Sequence, residues 1–247
     1  MINGLYTSAR GMIALEKQTD LVSNNMANVN TTGFKGQEAA FESFPEMLMS
    51  RIDETGSHVI GEKGTGSRVS ETYTNFGAGQ VRKTDNKLDF AIEGSGFFVV
   101  EAPWGRAYTR NGNFKVNKDG QLVTDQGYPV LGENGPIETN GRPINVGEGG
   151  MVQIDGIIRD QISLVDFDNS QQLERAGDNL YRAGEDTDEL EAGGNIRQGY
   201  LEGSNVNVIK GMTQLIKATR MYELNQKMIQ SHDETLSKAV NEVGRLG

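Results

Sequence analysis

The chain has 247 residues but no cysteine, only two histidines and one tryptophan, and no long hydrophobic run. Without cysteine it has no disulfides, no thiolate nucleophile and no zinc site built from cysteine. No stretch approaches the ~18 consecutive apolar residues of a membrane-spanning helix. The apolar run 12–15 near the start is closed by Glu16 and Lys17, so no hydrophobic signal core is expected. We therefore expect a soluble protein, cytoplasmic unless a separate export route exists.

Charge and motif spacing exclude several classes of function. The net charge of −10 and the pI of about 4.8 argue against nucleic acid and anionic lipid as partners. His58 and His232 are expected to be solvated, His232 on the polar side of a helix. The stretch 61–66 fails as a phosphate-binding loop because Ser67 stands where lysine is required. Asp166-Phe-Asp168 lacks the glycine and the glutamate of a calcium loop. We predict no catalytic residue, no cofactor and no metal.

Both ends of the chain carry a helical stripe. The spacing alternates between three and four residues, which is typical of helices that pack against other helices. At the N-terminal end the stripe comprises Leu5, Ser8, Met12, Leu15, Thr19, Val22, Met26 and Val29. At the C-terminal end it comprises Val208, Met212, Leu215, Thr219, Tyr222, Gln226, Ile229, Asp233, Leu236, Val240 and Val243.

The first helix is predicted over about 3–30, with Asn3 as its cap and Gly33 as a left-handed residue that closes its end. The last helix is predicted to begin near Ser204, Asn205 or Asn207 and to run to about Val243. Residues 37–52 fit either a short helix broken near Pro45 or an extended segment. Glycine-rich residues 56–66 are predicted to form a linker or a mobile loop.

Short apolar runs separated by turn residues fill the middle of the chain. They include 88–92, 96–100, 128–131, 151–154 and 162–167. Residues 113–116 and 121–124 flank Asp119-Gly120, which predicts a hairpin because Asp-Gly tolerates the positive φ of a tight turn. The fold class is therefore α+β: paired, coiled-coil-like N- and C-terminal helices carrying an antiparallel β-rich domain. We predict an N-terminal helix over 1–35, a linker over 36–80, the β domain over 81–200 and a C-terminal helix over 201–247, with both helices available for contacts with partners.

Three groups of motifs resemble those of the bacterial flagellar rod and hook proteins. The stretch 23–35, SNNMANVNTTGFK, resembles their N-terminal signature, and 199–206, GYLEGSNV, resembles their C-terminal one. In between, GSGFF at 94–98, AYTRNGNF at 107–114 and DGQLVT at 119–124 are similar to the β domain of this family. Met26 departs from the usual leucine. Within the family, 127–137 and 201–206 look most like the proximal-rod protein, with the distal-rod protein as the runner-up.

The resemblance implies a structural subunit of the basal-body rod that polymerises with copies of itself and with other rod and hook subunits. It also implies passage through the flagellar export apparatus without a cleaved signal, and assembly in the periplasm. The subunit interface is then expected along the stripes and the signature, at Leu5, Met12, Leu15, Val22, Asn24, Asn25, Met26, Asn28, Val29, Gly33, Phe34, Val208, Met212, Leu215, Tyr222, Ile229, Leu236, Val240 and Val243.

Two other classes of function remain open at this point. One is a periplasmic glycan hydrolase that uses a pair of carboxylates, although no spacing singles out a pair among the 34 acidic residues. The other is a monomeric binding module with a helical stalk. Within the flagellar family, a distal-rod or hook-type axial subunit is the alternative to the proximal rod.

Overall fold

The computed structural model describes residues 2–43, 47–53, 56–64, 66–147, 149–184 and 187–243. Contacts divide the chain into two compact units. The helical unit comprises residues 1–27, 37–73 and 207–247, and the body unit comprises residues 28–36 and 74–206.

Two long helices belong to the helical unit, α1 over Ile2–Ala27 and α2 over Val208–Val243. The predicted cap Asn3 is wrong, because the helix already includes Ile2 and Asn3 lies in its first turn. Of the three predicted caps, Asn207 is the one that caps α2: its side chain accepts from the N–H of Lys210 at 3.0 Å, and its carbonyl accepts from the N–H of Gly211 at 2.9 Å. Gly33 has the predicted positive φ of 65° but lies six residues beyond the end of α1, so it does not close the helix.

The rest of the helical unit is extended. Its strands are β1 over Gln37–Ser43, β2 over Met47–Asp53, β3 over Gly56–Lys63 and β4 over Ser67–Thr74, which pair as β1–β4 and β2–β3. The extended alternative for 37–52 is thus confirmed for the described part, and Pro45 lies outside it. The linker predicted over 56–66 is wrong for residues 56–63, because β3 pairs with β2 from Asp53 opposite Gly56 to Met47 opposite Lys63, with one register shift between Met49 and Ser50. Backbone hydrogen bonds in a hairpin do not require apolar side chains.

The body unit holds the remaining strands, and all their pairings are antiparallel. The first of them are β5 Val81–Lys83, β6 Phe90–Glu93, β7 Phe97–Ala102, β8 Gly105–Thr109, β9 Lys115–Val116, β10 Leu122–Val123, β11 Leu131–Gly132 and β12 Gly135–Pro136. The later ones are β13 Ile144–Val146, β14 Met151–Ile154, β15 Ile157–Gln161, β16 Leu164–Phe167, β17 Glu174–Gly177, β18 Leu180–Arg182, β19 Glu189–Glu191, β20 Asn195–Gln198 and β21 Tyr200–Glu202. A 3-10 turn covers Ser170–Gln172.

A six-stranded sheet of order β17-β18-β8-β7-β16-β19 is the centre of this unit. The same unit also contains a three-stranded sheet β13-β14-β15 and the pairs β5–β21, β6–β20, β9–β10 and β11–β12. The predicted hairpin is confirmed: β9 and β10 join through Gly120, which has a φ of 80°. The α+β class is confirmed at the level of two terminal helices and a β-rich body.

Strand β7 contributes side chains to two apolar clusters, because alternate side chains of a strand point to opposite sides. Phe98 and Val100 pack in the larger cluster with Phe114, Leu122 and Val130. On the other face, Phe97 and Val99 pack in an aromatic cluster that includes Tyr108, Phe167 and Tyr181. The body unit therefore has its own core, which fixes the loops and chain segments at its surface.

Candidate functional site

The two terminal helices lie side by side and run in opposite directions. A Cβ at Gly4 would lie 2.6 Å from His232 Nε2, and one at Gly11 would lie 3.4 Å from Asn225 Nδ2. A Cβ at Gly211 would lie 3.0 Å from Met26 Cγ. Contacts that move forward along α1 therefore move back along α2. Glycine at these points lets the helices approach closely.

His232 is half-buried in this contact, so its predicted solvated position is wrong; the side chain of His58 lies outside the described residues.

The face of α2 that the chain itself covers is offset from the predicted stripe. Apart from half-buried Gln214, its buried and half-buried side chains again alternate in spacing by three and four, and the series passes through exposed Tyr222. The covered face and the predicted stripe share every seventh position. At the positions in between, the covered residue comes one residue before the predicted one, so Gly211 and Ala239 are covered where the stripe had Met212 and Val240. The series is Val208, Gly211, Leu215, Ala218, Tyr222, Asn225, Ile229, His232, Leu236 and Ala239.

The expected interface residues fall into three groups in the single chain. Leu15 and Val22 are buried in the helical unit, while Gly33 and Phe34 are buried in the body unit, where they fix their own segment. Asn24, Met212, Tyr222 and Val240 are exposed. The half-buried ones are Leu5, Met12, Asn25, Met26, Asn28, Val29, Val208, Leu215, Ile229 and Leu236. The side chain of Val243 lies outside the described residues.

Asn25 has a defined local role. Its amide nitrogen donates to the carbonyl of Gln37 at 2.7 Å, and its amide oxygen accepts from the N–H of Gln37 at 2.9 Å. This pair of hydrogen bonds ties the end of α1 to the start of β1 within the helical unit. An asparagine amide can make both bonds because it carries a donor and an acceptor side by side.

Two sets of large apolar side chains on α2 remain uncovered, on opposite sides of the covered face. At 100° per residue, each set lies roughly 100° from that face. We call the set formed by Ile209, Met212 and Ile216 the first flank; these side chains are 78%, 51% and 57% exposed. The second flank, farther along the helix, consists of Met221, Leu224 and Met228. Tyr6 and Ile13 of α1 are exposed as well.

The family-like signatures at 28–35 and 199–206 meet inside the body unit. Lys35 Nζ lies 2.6 Å from Glu202 Oε1, and neither side chain is exposed to more than 1%. Arg110 NH1 lies 3.4 Å from the other carboxylate oxygen, Glu202 Oε2. The N–H of Gly33 donates to the backbone carbonyl of Glu202 at 2.8 Å. Phe34 packs beneath Arg175, whose guanidinium carbon lies 4.7 Å from the ring centre.

Burial lowers the pKa of Lys35 because desolvation penalises the ammonium, while the Glu202 carboxylate opposes this change. The sequence analysis did not single out Lys35 or Glu202 for this role. Lys and Glu are almost never fully buried unless paired, and these two are 167 residues apart in the chain. The only available signal was that both stand inside the two signatures.

The described residues contain no group of three or more side chains suited to hold a metal ion. Neither described helix is long and apolar enough to cross a membrane. A compact β body with long terminal helices whose apolar side chains stay uncovered is typical of a subunit that assembles with other chains.

Three family profiles match along the chain. The profile described as Flagella basal body rod protein matches residues 5–35. The Flagellar hook protein FlgE/F/G D1 domain matches residues 91–154, and the Flagellar basal body rod FlgEFG protein C-terminal matches residues 197–242. The first and last of them overlap the two signatures.

Similar proteins align over nearly the whole chain. The flagellar basal-body rod protein FlgG of Buchnera aphidicola subsp. Acyrthosiphon pisum is 37% identical over 260 residues, covering 96% of this chain and 98% of the relative. FlgG of Bacillus subtilis is 34% identical, covering 98% and 99%. The rod protein FlgF of Caulobacter vibrioides is 36% identical, and both chains are covered completely. The chain belongs to the flagellar basal-body rod protein family. It is a structural protein and not an enzyme, so the glycan hydrolase alternative is set aside.

Proposed function

We propose that this chain is a subunit of the flagellar rod that polymerises through its terminal helices. The observation that carries the proposal is the pair of uncovered apolar flanks on α2. Large apolar side chains that recur along one helix and stay exposed mark an interaction surface. In an assembled shaft, neighbouring subunits would cover them, and the removal of apolar area from water would drive assembly.

The proposal includes a coiled-coil-like pairing of the two terminal helices, and the covered face of α2 supports it. Its alternating three-four spacing is that of a helix whose seam follows a partner helix. Here the partner within the chain is α1, and the seam uses glycine and alanine for close approach. The two helices thus pack together along this face, and the remaining apolar side chains of α2 point away from it.

Among rod subunits, we place this chain in the proximal rod. This assignment rests on the similarity of 127–137 and 201–206 to the proximal-rod sequence. Relatives named FlgG and FlgF have nearly equal identity to the chain, at 37% and 36%. The partners would be further copies of this chain and other rod and hook subunits in the periplasm, reached through the flagellar export apparatus. A distal-rod position is the alternative.

The test uses the full chain in flagellated cells, with Met212→Asp as the variant and Met212→Leu as the control. Aspartate at an exposed site leaves the monomer folded, but in a dry contact it is a charge without a partner. We expect the aspartate variant to be exported and to build no rod or hook, whereas the leucine variant builds both. Electron microscopy of isolated basal bodies, with the chain located by a tag, gives the result. Normal rods in the aspartate variant contradict the proposal, and a tag located outside the proximal rod contradicts the assignment.

A further inference from the structure

The chain passes between the helical unit and the body unit four times, after residues 27, 36, 73 and 206. Three segments of the body unit flank these passages: residues 28–36, 74–80 and 199–206. Every covalent path between the units therefore runs through one of these three segments. What holds them together is a property of the body unit alone.

Glu202 joins all three segments. Its carboxylate accepts from Lys35 Nζ at 2.6 Å and from the N–H of Gly79 at 2.7 Å. Lys35 Nζ also donates to the carbonyl of Gly77 at 2.9 Å. A single buried ion pair thus has one charged group on the segment after α1, the other on the segment before α2, and both bonded to the segment after β4.

Asn205 joins the same three segments a second time. Its amide oxygen accepts from the N–H of Gly36 at 2.9 Å, and its backbone N–H donates to the carbonyl of Phe34 at 3.3 Å. Its amide nitrogen donates to the carbonyls of Asn75 at 2.7 Å and Gly77 at 3.0 Å. The N–H of Asn75 in turn donates to the carbonyl of Gly36 at 2.8 Å. The side chains of Glu202 and Asn205 are three residues apart and act on the same backbone segments.

This cluster is an unusual use of buried charge. Desolvating an ion pair costs about as much as the pair gains, so a buried pair is weak evidence for stability. Removing one partner is different, because it leaves a buried charge without compensation. Glu202 faces two cations, Lys35 and Arg110, and Asp166 adds a second negative charge near Arg110. Each carboxylate oxygen of Glu202 faces one of the two cations, and a charge cluster of this kind favours a defined geometry more than it adds stability.

We propose that Lys35, Glu202 and Asn205 form a clamp that holds the segments at all four chain passages as one local cooperative unit, which opens separately from the β core. The clamp fixes where the chain leaves the body unit. A second role rests on the proposed rod function. When a load reaches the body unit from the terminal helices, the clamp distributes it over the three chain segments that it joins.

Hydrogen exchange on the purified full chain tests the clamp. The variant Glu202→Gln keeps the shape and an acceptor for Gly79 but leaves Lys35 without its carboxylate partner, and Arg110 keeps only the more distant charge of Asp166. We expect the clamp amides of Gly33, Gly36, Asn75, Gly79 and Gly203 to exchange about tenfold faster or more. The core amides of Leu122, Val130 and Ile137, which bond within the β core, should change less than about twofold.

Two further variants make the result specific. In Lys35→Met/Glu202→Gln the ammonium is removed together with the carboxylate, so we expect slower clamp exchange than in Glu202→Gln alone. Asp125→Asn removes the exposed 2.5 Å ion pair between Lys115 and Asp125 and should leave the clamp amides unchanged. Equal acceleration of clamp and core amides in Glu202→Gln would overturn the proposal, as would no acceleration at the clamp.

The load-sharing role has a separate measurement in cells. Glu202→Gln cells should build flagella, yet lose more of them than the parent under viscous shear, and Asp125→Asn cells should not. Equal retention of flagella in the two variants would overturn this role. The exchange result does not depend on rod assembly, so failure of the clamp and failure of the proposed rod function are distinguishable.

Discussion

Gly33 stands directly against the backbone of Arg110: a Cβ at position 33 would lie 2.4 Å from the Arg110 carbonyl carbon. Its φ of 65° is also a conformation that residues with a side chain rarely adopt. Both constraints act at the point where the segment after α1 enters the body unit. The family-like signature therefore contains a glycine for two physical reasons, neither of which is the helix cap that the sequence suggested.

Replacing Gly33 with alanine should be strongly destabilising. Left-handed strain costs about 1–2 kcal/mol, and the backbone of Arg110 and Asn111 cannot move aside as a flexible side chain could. We expect a loss of at least ~3 kcal/mol in the free energy of unfolding, measured by urea denaturation. Gly141→Ala is the matched control, since Gly141 has a φ of 72° and a Cβ placed there would meet no described atom within 4 Å; it should cost only about 1 kcal/mol. Equal losses in both variants would show that the Arg110 contact adds nothing.

Tyr181→Phe should stabilise the protein at neutral pH. The ring is fully buried against Phe76 and Phe97, with centroids 5.2 and 5.9 Å away. Its hydroxyl makes no hydrogen bond of ordinary geometry among the described residues, although the guanidinium of Arg175 lies near enough to lower the pKa of Tyr181. A buried hydroxyl without a partner costs about 1–3 kcal/mol, so its removal should raise the free energy of unfolding by about 1 kcal/mol. A loss of stability in thermal unfolding at pH 7 would show that the hydroxyl is satisfied in solution.

The same variant should change the alkaline limb of the stability profile. Burial raises the pKa of Tyr181 from 10.0 to about 12, although the positive charge of Arg175 opposes this change. Between these values the tyrosine of the unfolded chain loses its proton while the folded one keeps it, so the folded state binds more protons and stability falls as pH rises. The contribution is fully present below pH 10 and is lost by about pH 12. Urea titrations of wild type and Tyr181→Phe should therefore diverge by a further ~2–3 kcal/mol across this window. Parallel profiles would contradict the assignment.

How much of this architecture the sequence could predict depends on the range of the interactions. Alternating apolar runs and Asp119-Gly120 predicted the β body because strands and tight turns are set locally. The helix stripe was correct at every seventh position, such as Leu215 and Ile229, and one residue late between them. Helices approach at small residues such as Gly211 and Ala218, which carry little or no hydrophobic signal, so the search for apolar side chains chose Met212 instead.

The buried clamp was beyond local reasoning for a related physical reason. Lysine and glutamate side chains are normally expected at the surface. Lys35 and Glu202 are far apart in the sequence, and only folding brings them together. Likewise, the strand over 56–63 has too few apolar side chains for the sequence to predict a strand there. Its backbone hydrogen bonds to β2 hold it in place, and these leave no hydrophobic pattern. Leu215 and Ile229, which the sequence offered as interface positions, are half-buried within the chain. Charges there would damage the α1–α2 contact as well, so exposed positions make sharper tests.

The contact at Gly211 should tolerate one methyl group but not a larger side chain. A Cβ would lie 3.0 Å from Met26 Cγ and 3.2 Å from its sulfur, and methionine is flexible enough to yield. Alanine also favours the helix by about 1 kcal/mol over glycine. We expect Gly211→Ala to leave the thermal midpoint nearly unchanged or raise it slightly. Gly211→Leu should force the helices apart and cost about 1–3 kcal/mol. Equal stability of the two variants would mean that the helices are not in close contact in solution.

The two flanks of α2 predict how copies associate. A closed dimer uses the same patch on both subunits, whereas an open polymer joins two different patches. The first and second flanks lie roughly 120° apart around the helix and at different heights. We therefore expect the first flank of one copy to meet a different surface from the one that its second flank meets. Ile216→Asp and Leu224→Asp each disable one flank. Each variant alone should fail to form long oligomers under conditions where the wild type does, as measured by analytical ultracentrifugation.

Mixing the two variants distinguishes the modes of association. If the flanks bind each other, Ile216→Asp keeps a working second flank and Leu224→Asp keeps a working first flank. One copy of each can then join, but the resulting pair has no intact flank left to add a third, so the mixture should stop at heterodimers. Gln230→Asp, a change at an exposed polar position of the same helix, should polymerise as the wild type does. Homodimers of either variant alone would instead mean that a flank pairs with itself, and unimpaired polymerisation of both variants would mean that these side chains do not meet a neighbour.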